Sequence, residues 1–175
     1  SNKVLTLAKL EQHKLEMNKK EVPLSPMIED LIEKFTIKTE KTIHFTTDLK
    51  TEKVYADEEF LKEAISNLID NAIKYSKESV KINISSSSDA NHDIINIYDN
   101  GIGIPQKDQK KIFEKFERAS AIKQTRKGGP SGFGLGLNYV YQVMEAHEGR
   151  VYINSIEGKF SEFSLLIPKI IESYD

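Results

Sequence analysis

Apolar residues recur along this chain with two distinct periods. Met27, Ile28, Leu31, Ile32 and Phe35 return every three or four positions, which is the spacing of one helix face. Ser25-Pro26 just ahead of them reads as an N-cap followed by proline at the first helical position. The run 57–75 repeats the period, with Leu61, Ala64, Leu68 and Ala72 on one side. Asp57 is suited to cap it, and Glu58 and Glu59 suit the positive end of its dipole. Two more helices are predicted, over 106–116 and from 137 to about His147, with Gly149 as the C-cap. Residues 3–20 carry a looser stripe (Val4, Leu7, Ala8, Leu10, Leu15, Met17), a helix that needs another helix to bury its face.

Between these helices the pattern switches to alternation. Strands are predicted at 42–47, 53–56, 80–85, 94–98, 150–155 and 161–167, the third and fourth flanking the loop SSSDANHD. Residues 117–131 are polar and aperiodic, and a stretch of that length inside a domain is usually functional or mobile. The sum is an α+β chain: a two-layer α/β sandwich, a mixed sheet with helices on one face, preceded by one helical arm. The arm takes residues 1–20 and the domain residues 21–175.

Composition narrows the partners. With 25 basic and 27 acidic residues the net charge is −2, which lacks the basic footprint of a nucleic-acid binder. There is no cysteine, so disulfides and thiolate metal sites are excluded. No apolar run reaches the length of a membrane span, and the N-terminal residues do not resemble a secretory leader.

Three features carry candidate chemistry. On a helical wheel Glu63, Asn67, Asn71 and Lys74 fall within roughly 80° of one another, along the edge of the apolar face. Asparagine is a mediocre helix former, so two of them one turn apart on such an edge point modestly to a site. Their carbonyls are neutral oxygen ligands for a hard cation such as Mg²⁺, and Lys74 can supply a cation. Second, strand 94–98 runs into Asp99-Asn100-Gly101-Ile102-Gly103, where a carboxylate can accept from an exocyclic amine and glycines let a flat ligand approach. By itself this is also an ordinary Asx turn. Third, GGPSGFGLGL at 128–137 leads into a helix, yet Leu137-Asn138 stand where a phosphate loop would carry Lys-Ser/Thr.

In order and spacing, NLIDNAIKYS (67–76), DNGIGIP (99–105), FEKFER (113–118) and GFGLGL (132–137) resemble the N, G1, F and G2 boxes. These boxes define the ATP-binding catalytic domain of sensor histidine kinases, a branch of the GHKL superfamily with DNA gyrase, MutL and the Hsp-type chaperones. The resemblance covers about 21–170 and implies a Bergerat-type fold. The 3–20 segment resembles the second helix of the dimerisation hairpin that precedes the domain in that family.

The resemblance implies a role for each matching position. Asn71 would bind the Mg²⁺ that bridges the phosphates, Lys74 would lie near them, and Tyr75 against the nucleotide. Asp99 would read the adenine amino group, with Gly101 and Gly103 allowing close approach. Arg118 would meet the terminal phosphate. Residues 117–131 become an ATP lid, in which Lys123, Arg126 and Lys127 are candidate phosphate partners. Gly132, Gly134 and Gly136, with Leu135 and Leu137, would form its hinge and lead phosphates onto a helix N-terminus.

Hydrolysing relatives carry a glutamate four residues before the metal asparagine; here that position is Asn67, which cannot take a proton. None of His13, His44, His92 and His147 fits the family's phosphoacceptor motif. The resemblance therefore implies a kinase domain using ATP and Mg²⁺ and acting on a histidine outside this chain. Its implied partners are the dimerisation and histidine-phosphotransfer domain of the same protein, a homodimeric full-length form and a response regulator. The implied location is the cytoplasmic side of a membrane-anchored sensor. Two alternatives stay open: a degenerate nucleotide-sensing module, and an anti-sigma-type serine kinase on the same fold.

Overall fold

The structure is a computed structural model that describes residues 17–119 and 135–170, of which 113–119 and 135 are described by backbone alone. In chain order the elements are β1 (Lys19–Pro23), α1 (Leu24–Lys38), β2 (Thr42–Leu49), β3 (Lys53–Asp57) and α2 (Glu58–Lys74). They continue with β4 (Ser79–Ser88), β5 (His92–Asp99), α3 (Gln106–Ala119), α4 (Leu135–Ala146), β6 (Arg150–Ile156) and β7 (Phe160–Pro168). Five strands form one sheet in the order β2-β4-β5-β7-β6. β2 runs parallel to β4 and the other neighbours are antiparallel, so the sheet is mixed as expected. β1 and β3 pair separately as an antiparallel ribbon.

One face of the sheet carries Ile82, Ile84, Ile95, Ile97, Phe163, Leu165 and Ile167, all buried. The apolar faces of α1, α2 and α4 (Leu31 and Phe35; Leu61, Ile65, Leu68 and Ile69; Val140, Val143 and Met144) join them in one core. Each such fully buried side chain contributes about 1.5–3 kcal/mol. The expected two-layer α+β sandwich is what forms.

Local departures have local causes. Helix α1 starts at Leu24, with Pro23 in the cap position and no side-chain cap. Ser25 does not cap it; its hydroxyl faces Glu29 at 3.4 Å. Leu24 is buried and its amide donates to Glu52 O (2.9 Å), which sets the start earlier than the Ser-Pro signal. Lys19 and Lys20, read as the end of the arm, pair with Asp57 and Ala56 in β1. Ser86–Ser88, read as loop, extend β4, because Ser86 Oγ accepts from Thr51 N (3.0 Å) and Ser88 Oγ donates to Asp93 (2.7 Å). At the end of α4 the left-handed residue is Glu148 (φ 58°), not Gly149. Gly149 is needed for room, since a Cβ there would strike the Leu166 carbonyl oxygen. Residues 1–16, the bulk of the expected arm, lie outside the described residues.

Candidate functional site at one end of the sheet

Helix α2 builds one wall. Asp57 caps it as expected, its Oδ1 accepting from Phe60 N (3.1 Å), so the helix starts at a fixed residue and its wheel has a fixed phase. That phase turns the chain's asparagines inward: Asn67 is 3% exposed and Asn71 7%. The Nδ2 atom of each is buried with no hydrogen-bond partner. A buried amide donor without a partner costs about 1–3 kcal/mol, a cost that natural proteins accept where a ligand completes the bond.

Facing them is the first turn of α4. A Cβ on Gly136 would stand 3.9 Å from Asn71 Oδ1 and 4.0 Å from Asn67 Oδ1, and Leu137 beside it is buried. Two asparagines and a glycine-led helix N-terminus therefore converge, bringing amide donors, carbonyl oxygens and a positive dipole end to one spot.

The second wall begins where β5 ends. Asp99 is 7% exposed, and burial raises its carboxyl to about 6, an effect partly opposed by the bond from Gly101 N–H to its Oδ1 (2.9 Å). The loop beyond is pinned by backbone. Ile102 N donates to Tyr75 O (3.0 Å), Asn100 N to Lys81 O (3.2 Å), and Ile104 N to Ser155 Oγ (2.8 Å). A Cβ on Gly101 would meet Tyr75 O at 2.5 Å and Asp99 Oδ1 at 2.8 Å. Gly103 has φ +70° and lies against the Ile156 carbonyl, so it too admits no side chain.

Asn71, Ala72, Tyr75, Asp99, Gly103, Ile104, Ser161 and Phe163 line a narrow cleft of about 10 Å³ between these walls. Of these, Ala72, Ile104, Ser161 and Phe163 escaped the sequence reading. Ser161 stands opposite Asp99 in the β5–β7 register, which no local pattern reveals. The available signal was a serine among the inward positions Phe163, Leu165 and Ile167 of β7.

Other expected residues lie apart from this cleft or outside what is described. Lys74 is more than half exposed and pairs with Asp70 (Nζ–Oδ2 3.3 Å), one turn back on its own helix. Gly132 and Gly134 fall outside the described residues, as do Lys123, Arg126 and Lys127, and the side chains of Arg118 and Leu135 are not described. A second groove, of about 370 Å³, runs between α1 and α2 and is lined by Lys34, Lys38, Glu63, Asn67 and Asp70 among others. Among the described residues no cluster of three or more His, Cys, Asp or Glu is placed to hold a metal. His44 is exposed, His92 sits beside Asp89, and His147 is buried in structural bonds.

The sequence profile of the family described as "Histidine kinase-, DNA gyrase B-, and HSP90-like ATPase" matches residues 56–171. The adaptive-response sensory kinase SasA of Crocosphaera subtropica is 32% identical over 94% of this chain and 43% of its own length. The sensor histidine kinase WalK of Bacillus subtilis is 30% identical over 99% of this chain and 29% of its own length. The chain thus spans less than half of these relatives. Among solved structures, the Acinetobacter baumannii histidine kinase AdeS aligns with a TM-score of 0.74 at 26% identity, over 95% of this chain and 75% of that one. The catalytic domain of histidine kinase ThkA aligns at 0.71 and 28% identity, over 87% of this chain and 99% of that one. The matched region holds both walls of the cleft, and the chain belongs to the histidine kinase-, DNA gyrase B- and HSP90-like ATPase family.

Proposed function

We propose that this chain is the catalytic domain of a sensor histidine kinase, binding ATP with Mg²⁺ and passing the γ-phosphoryl group to a histidine on another segment. The observation that carries the reading is the pair of buried, partnerless amides of Asn67 and Asn71 beside Gly136, with Asn71 lining the same cleft as the Asp99 carboxylate. Asp99 accepts from the adenine amino group, and the base enters as the lining side chains part. Phosphates then lie along α2 from Asn71 towards Asn67, beneath the α4 N-terminus.

The donor set fits the proposed metal. Asn71 Oδ1 offers a neutral oxygen, while Nδ2 of Asn71 and Asn67 suits phosphate oxygens rather than a cation. Held by Asn71 Oδ1 and phosphate oxygens, Mg²⁺ would supply positive charge to offset that of the phosphates. In the transfer, an imidazole nitrogen bonds to the γ-phosphorus while its bond to the β,γ-bridging oxygen breaks, releasing ADP. Asn67 has no proton-accepting group to activate water, which favours the neutral imidazole as nucleophile. Lys74 turns from Asp70 to the phosphates when they arrive; their ion pair is exposed and worth little, so the exchange is cheap. Arg118 supplies a second cation at the terminal phosphate, and Gly132, Gly134 and Gly136 hinge the lid. The partners are a dimerisation and phosphotransfer domain, a second copy of the whole protein and a response regulator, on the cytoplasmic side of the membrane.

Incubation with γ-labelled ATP and a separately supplied dimerisation domain tests this. Label is expected on that domain in an acid-labile, base-stable linkage. Confirmed ATP binding with no label on several suitable domains would count against kinase activity.

A further inference from the structure

The C-terminal end of α2 is held by a lysine from a distant part of the chain. Lys41, half-buried just before β2, donates from Nζ to Ile73 O (2.6 Å), Ser76 O (3.0 Å) and Ser76 Oγ (3.2 Å). Those three contacts use all three ammonium donors. They also place a cation where helix carbonyls lack intrahelical partners and the dipole is negative. Its own backbone is tethered in turn, with Lys41 N donating to Thr39 Oγ1 (3.2 Å).

Between the two carbonyls that Lys41 holds lies that of Tyr75. It accepts from Ile102 N (3.0 Å) and sits 2.5 Å from where a Gly101 Cβ would be. The floor of the cleft is thus referenced to one carbonyl oxygen, and Lys41 clamps the carbonyls two residues before it and one residue after it. We infer that Lys41 is a positioning residue for the nucleotide site: by fixing the last turn of α2 it sets the distance between Asn71 and the Asp99–Gly103 loop. This rests on the nucleotide reading of the cleft. Lys41 itself touches no ligand.

Titration of the full chain with ATP and with ADP, for wild type, Lys41→Met and Lys41→Arg, tests the inference alongside residue-resolved amide exchange. Lys41→Met keeps the stem and removes the charge. It is expected to fold, and to weaken ATP and ADP by the same factor of about ten, the loss typical of one charge-assisted hydrogen bond. The Ile102 amide is expected to exchange faster while Ile97 in β5 does not. Lys41→Arg is expected to restore both readouts, which a general loss of stability would not distinguish by site.

Unchanged affinity in a folded Lys41→Met, or a loss confined to ATP, overturns the inference while leaving nucleotide binding intact. A wild type that binds neither nucleotide removes the reading of the site and the inference together. If Lys41→Met does not fold, Ser76→Ala, which deletes one Lys41 contact together with the Ser76 hydroxyl's own bond to Ile73 O (2.7 Å) and keeps both carbonyls, is expected to show the same pattern at smaller amplitude. Unchanged binding and exchange in that variant would overturn it.

Discussion

Asp99 is a residue whose proposed function and whose stability pull in opposite directions. Its buried carboxyl is pushed up to about 6 from 3.8, chiefly by loss of solvent. A raised carboxylate takes up its proton more readily folded than unfolded, so its cost is full above about 6, fades as pH falls from 6 towards 3.8, and is gone below 3.8. Asp99→Asn is therefore expected to stabilise the ligand-free chain at pH 7 by roughly 1–2 kcal/mol, a gain that shrinks between pH 6 and pH 4. Denaturant unfolding across pH measures it, and an unstabilised variant at pH 7 would contradict the assignment. The same variant is expected to lose adenine binding. Two glycines make a second contrast. Gly101→Ala forces a Cβ to 2.5 Å from the backbone carbonyl of Tyr75, whereas Gly136→Ala meets only ordinary contacts at 3.9 Å. Gly101→Ala is expected to lose stability and binding together. Gly136→Ala should fold as well as wild type or better, since alanine favours a helix by up to about 1 kcal/mol, yet bind ATP less well. Thermal unfolding with and without ATP separates these outcomes.

At the scale of elements, one buried node ties three of them. His147 at the end of α4 accepts Asp57 N–H on Nε2 (3.0 Å) and donates from Nδ1 to Val143 O (2.7 Å). Asp57 in turn caps α2 and accepts from Asn18 N (3.0 Å) ahead of β1. Burial holds His147 below its ordinary value of 6.5, with the bond to Val143 opposing, Lys19 assisting and Asp57 opposing. A depressed histidine contributes stability that is present above 6.5 and lost as pH falls towards its folded value. Asp99 acts in the opposite sense over neighbouring pH, so the two partly cancel in wild type. The acid loss should emerge more clearly in Asp99→Asn, read by the same unfolding series. Removing the cap with Asp57→Ala is expected to cost about 1–2 kcal/mol.

Such elements also show what was legible in the sequence. The α2 cap, the inward asparagine edge and the strand-loop at Asp99 depend on local period and capping, and all were readable. The β1–β3 ribbon, the Leu24 start and the Asp99–Ser161 register depend on which strands meet. Pairing of that kind leaves no trace within a window of ten residues.

Across the whole molecule, the site lies where three independent elements end together: the last turns of α2, the end of β5 and the first turn of α4. None of them carries the proposed site alone, so the proposed ligand contacts would span residues that the chain separates widely. A ligand bridging those ends stabilises the folded chain by mass action. At a nucleotide concentration one hundred times its dissociation constant the gain is about 2.7 kcal/mol, several degrees in melting temperature for a chain of this size. The most direct test of the central claim is calorimetric titration of the chain with ATP and with GTP, each with Mg²⁺ and with chelator. The expected result is saturable one-to-one ATP binding that weakens in chelator, with GTP weaker by at least tenfold, because the Asp99 carboxylate proposed to accept from an adenine amine would meet an oxygen on guanine. Saturation by GTP as tight as by ATP, or no saturation by either, would contradict it.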